Sequence, residues 1–115
     1  MYKIKEGMFS WLLHKVTGVA IVAFLIFHIW SMAKMSKGPE AFNAVIEVYK
    51  TALYRAGEVL LLGAILFHGL NGLRLIIGEF IPRTLHKHKL AVYLTLFLAG
   101  ALFIIGGVIM WRAEL

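Results

Sequence analysis

The chain contains no cysteine. Disulfides, cysteine-ligated zinc and thiolate-held iron–sulfur clusters are therefore excluded, and any redox group must be held by histidine or methionine or belong to another chain. Charge is missing where the chain is most apolar. Residues 90–111 hold no acidic or basic side chain, and between Val16 and Ala33 His28 is the only ionisable one. No carboxylate or nucleophile pair lies in the apolar runs, so nothing supports direct catalysis. There is no internal repeat and no low-complexity tract. No small-residue cleavage pattern follows the first run, because Trp30, Ser31 and Met32 lead into lysines, so that run is expected to be retained rather than removed as a signal.

What is present is hydrophobicity: 61% of 115 residues, with a mean hydropathy of +0.83. That lies outside the range of soluble domains. Three runs, at about residues 11–33, 57–81 and 90–111, exceed the ~20 residues that cross a hydrocarbon core. The expectation is an all-α membrane protein of one domain, residues 1–115, with three transmembrane helices. The Gly38-Pro39 turn starts a short interfacial helix, with Pro39 as its first residue and Glu40 to Leu53 following. The net charge of +6 is ascribed to topology and anionic headgroups, not to nucleic acid. Lys3, Lys5, Lys15, Arg83, Lys87 and Lys89 fall on one side. The other side holds Lys34, Lys37, Lys50, Arg55 and Arg112, diluted by Glu40, Glu47 and Glu114. The positive-inside rule then favours a cytoplasmic N-terminus in a bacterial or archaeal inner membrane, with Trp30 and Trp111 at the outer interface. Glycines such as Gly18, Gly63, Gly69, Gly72, Gly100, Gly106 and Gly107 permit close approach of a helix or a flat ligand. Three helices alone cannot enclose a large cofactor, so a partner chain is expected.

Two residues in "AILFHGLNGLRLIIGEF" are costly in lipid, His68 and Arg74. An intramembrane imidazole must hydrogen-bond to a neighbour, ligate a metal or relay protons. Ala64, Gly72 and Gly69 around His68 would leave clearance for a porphyrin plane. Arg74, ~9 Å further along the helix, could pair bidentately with a propionate, or snorkel toward headgroups or Glu79. His28 occupies a similar place in the first run. Counting from the helix ends places it ~25 Å deep against ~17 Å for His68, which disfavours one shared iron. His28 could equally bond water or headgroups near the interface. Ser10, His14 and Lys15 cluster at the mouth of the first helix, where they could meet a propionate or a quinone carbonyl, or form a plain interfacial cluster. His86 and His88 read as solvated.

Together these residues resemble the cytochrome b membrane-anchor subunit of succinate dehydrogenase, that is, of succinate:quinone oxidoreductase. The family's first helix carries Ser, then His-Arg, then Ser or Thr and Gly. Here the row is Ser10, His14-Lys15, Thr17-Gly18. Pro39-Glu40-Ala41-Phe42 matches a turn of its first loop. A His followed by Gly-Leu-Arg and an acidic-aromatic pair is matched by His68, Gly72-Leu73-Arg74 and Glu79-Phe80. Two departures stand out. Lys15 replaces an arginine and loses its bidentate fork. Ser10 is one residue further from His14 than usual, with Trp11 in the register position.

The resemblance implies that His68 is an axial ligand of haem b, and that Ser10, Trp11, His14, Lys15 and Arg74 lie near propionates or quinone. By comparison with two-haem members, His28 would serve a second haem, each haem being shared with a second small anchor chain. The implied partners are that chain, an iron–sulfur subunit, a flavoprotein, the bilayer and quinone, with a trimer of the whole complex known in related enzymes. A haem-free structural anchor, a fumarate reductase anchor and a small carrier remain the alternatives.

Overall fold

The computed structural model describes residues 4–113, with side chains from residue 8 to 113 except 84 and 85. Lys3 and Glu114 of the charge tally lie outside the described residues, as does the Lys5 side chain. The described chain is all helical: α1 Ile4–Met35, α2 Pro39–Tyr49, α3 Ala52–Phe80 and α4 His88–Ala113, with a 3-10 segment at Pro82–Lys87. Met8–Met35, Ala52–Phe80 and His88–Ala113 are each long and apolar enough to cross a bilayer. A helix suits that medium because its backbone polar groups are satisfied internally.

Pro39 does open α2, one residue after Gly38, whose φ of 137° lies in the region that favours glycine. The helix ends earlier than expected, at Tyr49. Thr51 adopts an extended conformation and caps α3, which starts at Ala52 and so takes Leu53. The second apolar run had been placed to begin near Gly57, because Arg55 interrupts it. The structure extends the helix outward over that arginine, whose guanidinium lies 4.4 Å from the centre of the Trp111 ring and donates to the Trp111 carbonyl.

The three long helices run antiparallel in sequence, and α3 contacts every other element. The bundle measures 58 × 26 × 21 Å. Its polarity is inverted relative to a water-soluble core. The largest fully buried side chains are Asn71, Ser10 and Ser31, while Val19, Leu60, Phe97 and Ile104 point outward. In lipid, large apolar side chains gain nothing by turning inward, and polar ones must find one another. Small residues let the helices meet: Gly63 lies against the Phe103 ring and Gly106 against Leu62. Each tryptophan sits under a cation, with Lys15 Nζ 4.5 Å from the Trp11 ring and Lys34 Nζ 4.8 Å from the Trp30 ring. Trp30 and Trp111 lie at the same end of the bundle, as expected of an aromatic belt.

Candidate haem site and buried polar cluster

Ser10, His14, Thr17 and Gly18 recur at intervals of three and four residues, so they share one side of α1. His68, Asn71 and Arg74 follow the same rule on α3. The two sides face each other, and a connected polar cluster results. Ser10 Oγ donates to Asn71 Oδ1 at 2.8 Å, and Arg74 Nε donates to the same oxygen at 3.0 Å. Arg74 Nη2 donates to Ser10 Oγ at 3.1 Å. Two donors on one atom fix the amide orientation, because only the oxygen can accept both. The Asn71 nitrogen therefore faces His14 Nδ1, 3.1 Å away, and donates to it.

The other histidine is held by backbone. His68 Nδ1 lies 3.1 Å from the His14 carbonyl and 3.2 Å from Thr17 Oγ1. A carbonyl can only accept, so Nδ1 carries the proton. Thr17 donates its own hydroxyl to the carbonyls of Leu13 and His14, which leaves its lone pair for His68. With Nδ1 protonated, Nε2 is the bare nitrogen of His68. A ring N–H anchored on a carbonyl is the usual support of a metal-ligating histidine.

His68 lines a groove of about 650 Å³ with His14, Lys15, Gly18, Val19 and Val22. The glycine that clears His68 is not on its own helix. A Cβ on Gly18 would come within 3.0 Å of His68 Cε1, whereas Gly69 faces open space and Gly72 makes room for His14, whose Cε1 would lie 3.7 Å from a Cβ there. The imidazoles of His14 and His68 stack with centroids 3.9 Å apart and planes 10° from parallel. Among the described residues no group of three or more His, Cys, Asp or Glu side chains is gathered. A single bare nitrogen beside an apolar groove suits a metal that brings its own macrocycle, and in this respect the residues fit haem. Gly18→Val is expected to push the His68 ring off its carbonyl with helix content unchanged by circular dichroism, and, if His68 holds haem, to lower haem retention about tenfold or more.

Of the residues singled out in the sequence, the fold brings together Ser10, His14, His68 and Arg74. Ser10 turns inward despite its extra residue of spacing, because four residues place it directly one turn from His14. Its hydroxyl is already donated to Asn71. Trp11 is exposed and Lys15 lies over it, at the rim of the groove. His28 is exposed on α1 and stacked on Phe24, outside the groove. It follows His14 by 14 residues, ~21 Å along the axis. The two ligand candidates are thus further apart in depth than counting from the helix ends had suggested, because α1 and α3 pair with residues 14–18 level with His68. Asn71 was missed. Its signal was there, a lone amide three residues from both His68 and Arg74.

The fold is that of a membrane-spanning anchor whose polar side chains are turned toward one another between two helices. Residues 1–106 match the family described as succinate dehydrogenase/fumarate reductase transmembrane subunit, and the chain belongs to that family. It is similar to the succinate dehydrogenase 2 membrane subunit SdhC of Mycobacterium tuberculosis, with 39% identity over 80 residues, covering 70% of this chain and 59% of the relative. It is also similar to the succinate dehydrogenase hydrophobic membrane anchor subunit of Halobacterium salinarum, with 31% identity over 103 residues, 89% of this chain and 78% of that one.

Proposed function

We propose that this chain is a haem b-binding anchor of a succinate:quinone oxidoreductase. In that role it docks an iron–sulfur subunit and a flavoprotein at a prokaryotic cytoplasmic membrane, with its N-terminus inside. The observation that carries the reading is His68, whose Nδ1 is bonded to the His14 carbonyl so that Nε2 is left bare, in the lining of an open groove. A second small anchor chain covering that groove would supply the opposite ligand, since three helices leave it open.

Haem, when bound, would supply a one-electron relay. The work of this chain is to hold and to tune. The His14 carbonyl and Thr17 fix the tautomer and the plane of His68. Lys15 places a cation at the rim, where a propionate or a quinone oxygen would meet it. Arg74 keeps its charge close to the same site while bonded to Ser10 and Asn71. The chain carries out no bond chemistry on succinate. Fumarate reduction would use the same parts.

His28 is proposed as a ligand of a second haem, at the level ~15 Å beyond Gly18 along α1. His28→Ala is expected to remove one of two b-type signals and leave the His68 signal in place. Pyridine haemochrome analysis of the purified complex, as haem per flavin, tests both ligands. Two haems per flavin support both assignments, one supports His68 alone, and none leaves a haem-free structural anchor.

A further inference from the structure

The end of the bundle away from Ser10 and Arg74 holds a partly enclosed space. A cavity of about 210 Å³ lies between α1, α2 and the start of α3, lined by Phe27, Ser31, Lys34, Val45, Tyr49 and Tyr54 among others. Three of its rings form a triangular cluster, with Phe27, Tyr49 and Tyr54 centroids 5.7–6.2 Å apart. Its floor is polar in one place. Ser31 is 2% exposed and its hydroxyl has no hydrogen-bond partner. That is unusual in this chain. Thr17, Ser36, Thr51 and Thr95 all donate to a carbonyl three or four residues back, and Ser10 donates to Asn71. An unpaired buried hydroxyl is destabilising unless something accepts from it.

Lys34 follows Ser31 by three residues and stands on the same side of α1, at the cavity mouth. Together they present a neutral and a charged donor about one turn apart. The ligand that matches has an oxygen acceptor at each of those positions and an apolar body to lie against Phe27 and Val45. The site sits at the aromatic belt, where headgroups meet acyl chains. We infer that this cavity binds a phospholipid, whose ester oxygen accepts from Ser31 and whose phosphate pairs with Lys34. The lipid would then hold α2 against the ends of α1 and α3. This inference does not depend on haem.

The test uses the full chain, extracted from its own membranes in mild detergent together with the subunits that copurify. Retained phospholipid is measured by native mass spectrometry and by quantitative lipid extraction. Ser31→Ala and Lys34→Gln are each expected to weaken retention of one phospholipid about tenfold. Ser36→Ala, an exposed hydroxyl bonded to its own helix, should leave it unchanged. Added short-chain phosphatidylglycerol should refill the site in delipidated protein, while inorganic phosphate at equal concentration should not. If Ser31→Ala fails to fold, Lys34→Gln, on an exposed side chain, still decides the matter. Unchanged lipid retention in the variant that folds would overturn the inference. So would equal protection by inorganic phosphate, or loss of a quinone instead of a phospholipid.

Discussion

Asn71→Leu is expected to destabilise the bundle by about 2–5 kcal/mol, seen as a lowered midpoint of thermal unfolding in detergent. Leucine keeps the branched skeleton of asparagine and is the larger of the two, so no cavity explains the effect. The loss is one of pairing. Asn71 is 0% exposed and accepts from both Ser10 and Arg74 while donating to His14. Removing it leaves a hydroxyl, a guanidinium nitrogen and an imidazole nitrogen to find other partners between packed helices. Single interhelical hydrogen bonds in membranes average only ~0.6 kcal/mol, so Ser10→Ala, which removes one donor and one acceptor together, should cost about 1 kcal/mol or less. A large difference between the two variants marks Asn71 as the hub. Equal, small effects would show that the cluster rearranges freely, and the hub assignment would fail.

Asn71 also shows what the sequence reveals and what it hides. Length and apolarity disclosed the three long helices, because a bilayer sets one length scale for every span. Pro39 disclosed the start of α2 for a local steric reason. His68 stood out because any imidazole is conspicuous in hydrocarbon. The partners of these residues stayed hidden, because they depend on how α1 is set against α3. Gly18, not Gly69 or Gly72, clears His68, and no count along α3 could reveal a glycine on another helix. The difference in depth between His28 and His68 was underestimated for the same reason, since helix ends are a poor ruler and the α1–α3 register is a tertiary fact. The end of α2 was misplaced because residues 50 to 53 suit either helix, and the extended Thr51 decides between them.

If His68 holds haem as proposed, His68→Ala is expected to abolish the b-type α-band of that haem in the reduced-minus-oxidised spectrum, while the chain still inserts as a three-helix anchor. The physical reason lies in the support of the ring. Its Nδ1–H is fixed on the His14 carbonyl and on Thr17, which leaves Nε2 as the bare nitrogen of a ring that lines the groove. Alanine removes that nitrogen and leaves space between Gly18 and the stacked His14. His14 cannot take over, because its Nδ1 accepts from Asn71 and its ring would have to leave the stack. The space left is shaped for an imidazole, so free imidazole added to the variant should restore part of the α-band, whereas toluene of similar size should not. Restoration by imidazole alone separates a lost ligand from a misfolded bundle, which no small molecule would repair. Thermal stability should fall as well, because haem that binds only the folded chain stabilises it by mass action. A variant that keeps the full α-band would move the iron to another residue, and the groove beside α1 would then have to be read as a seat for a partner helix.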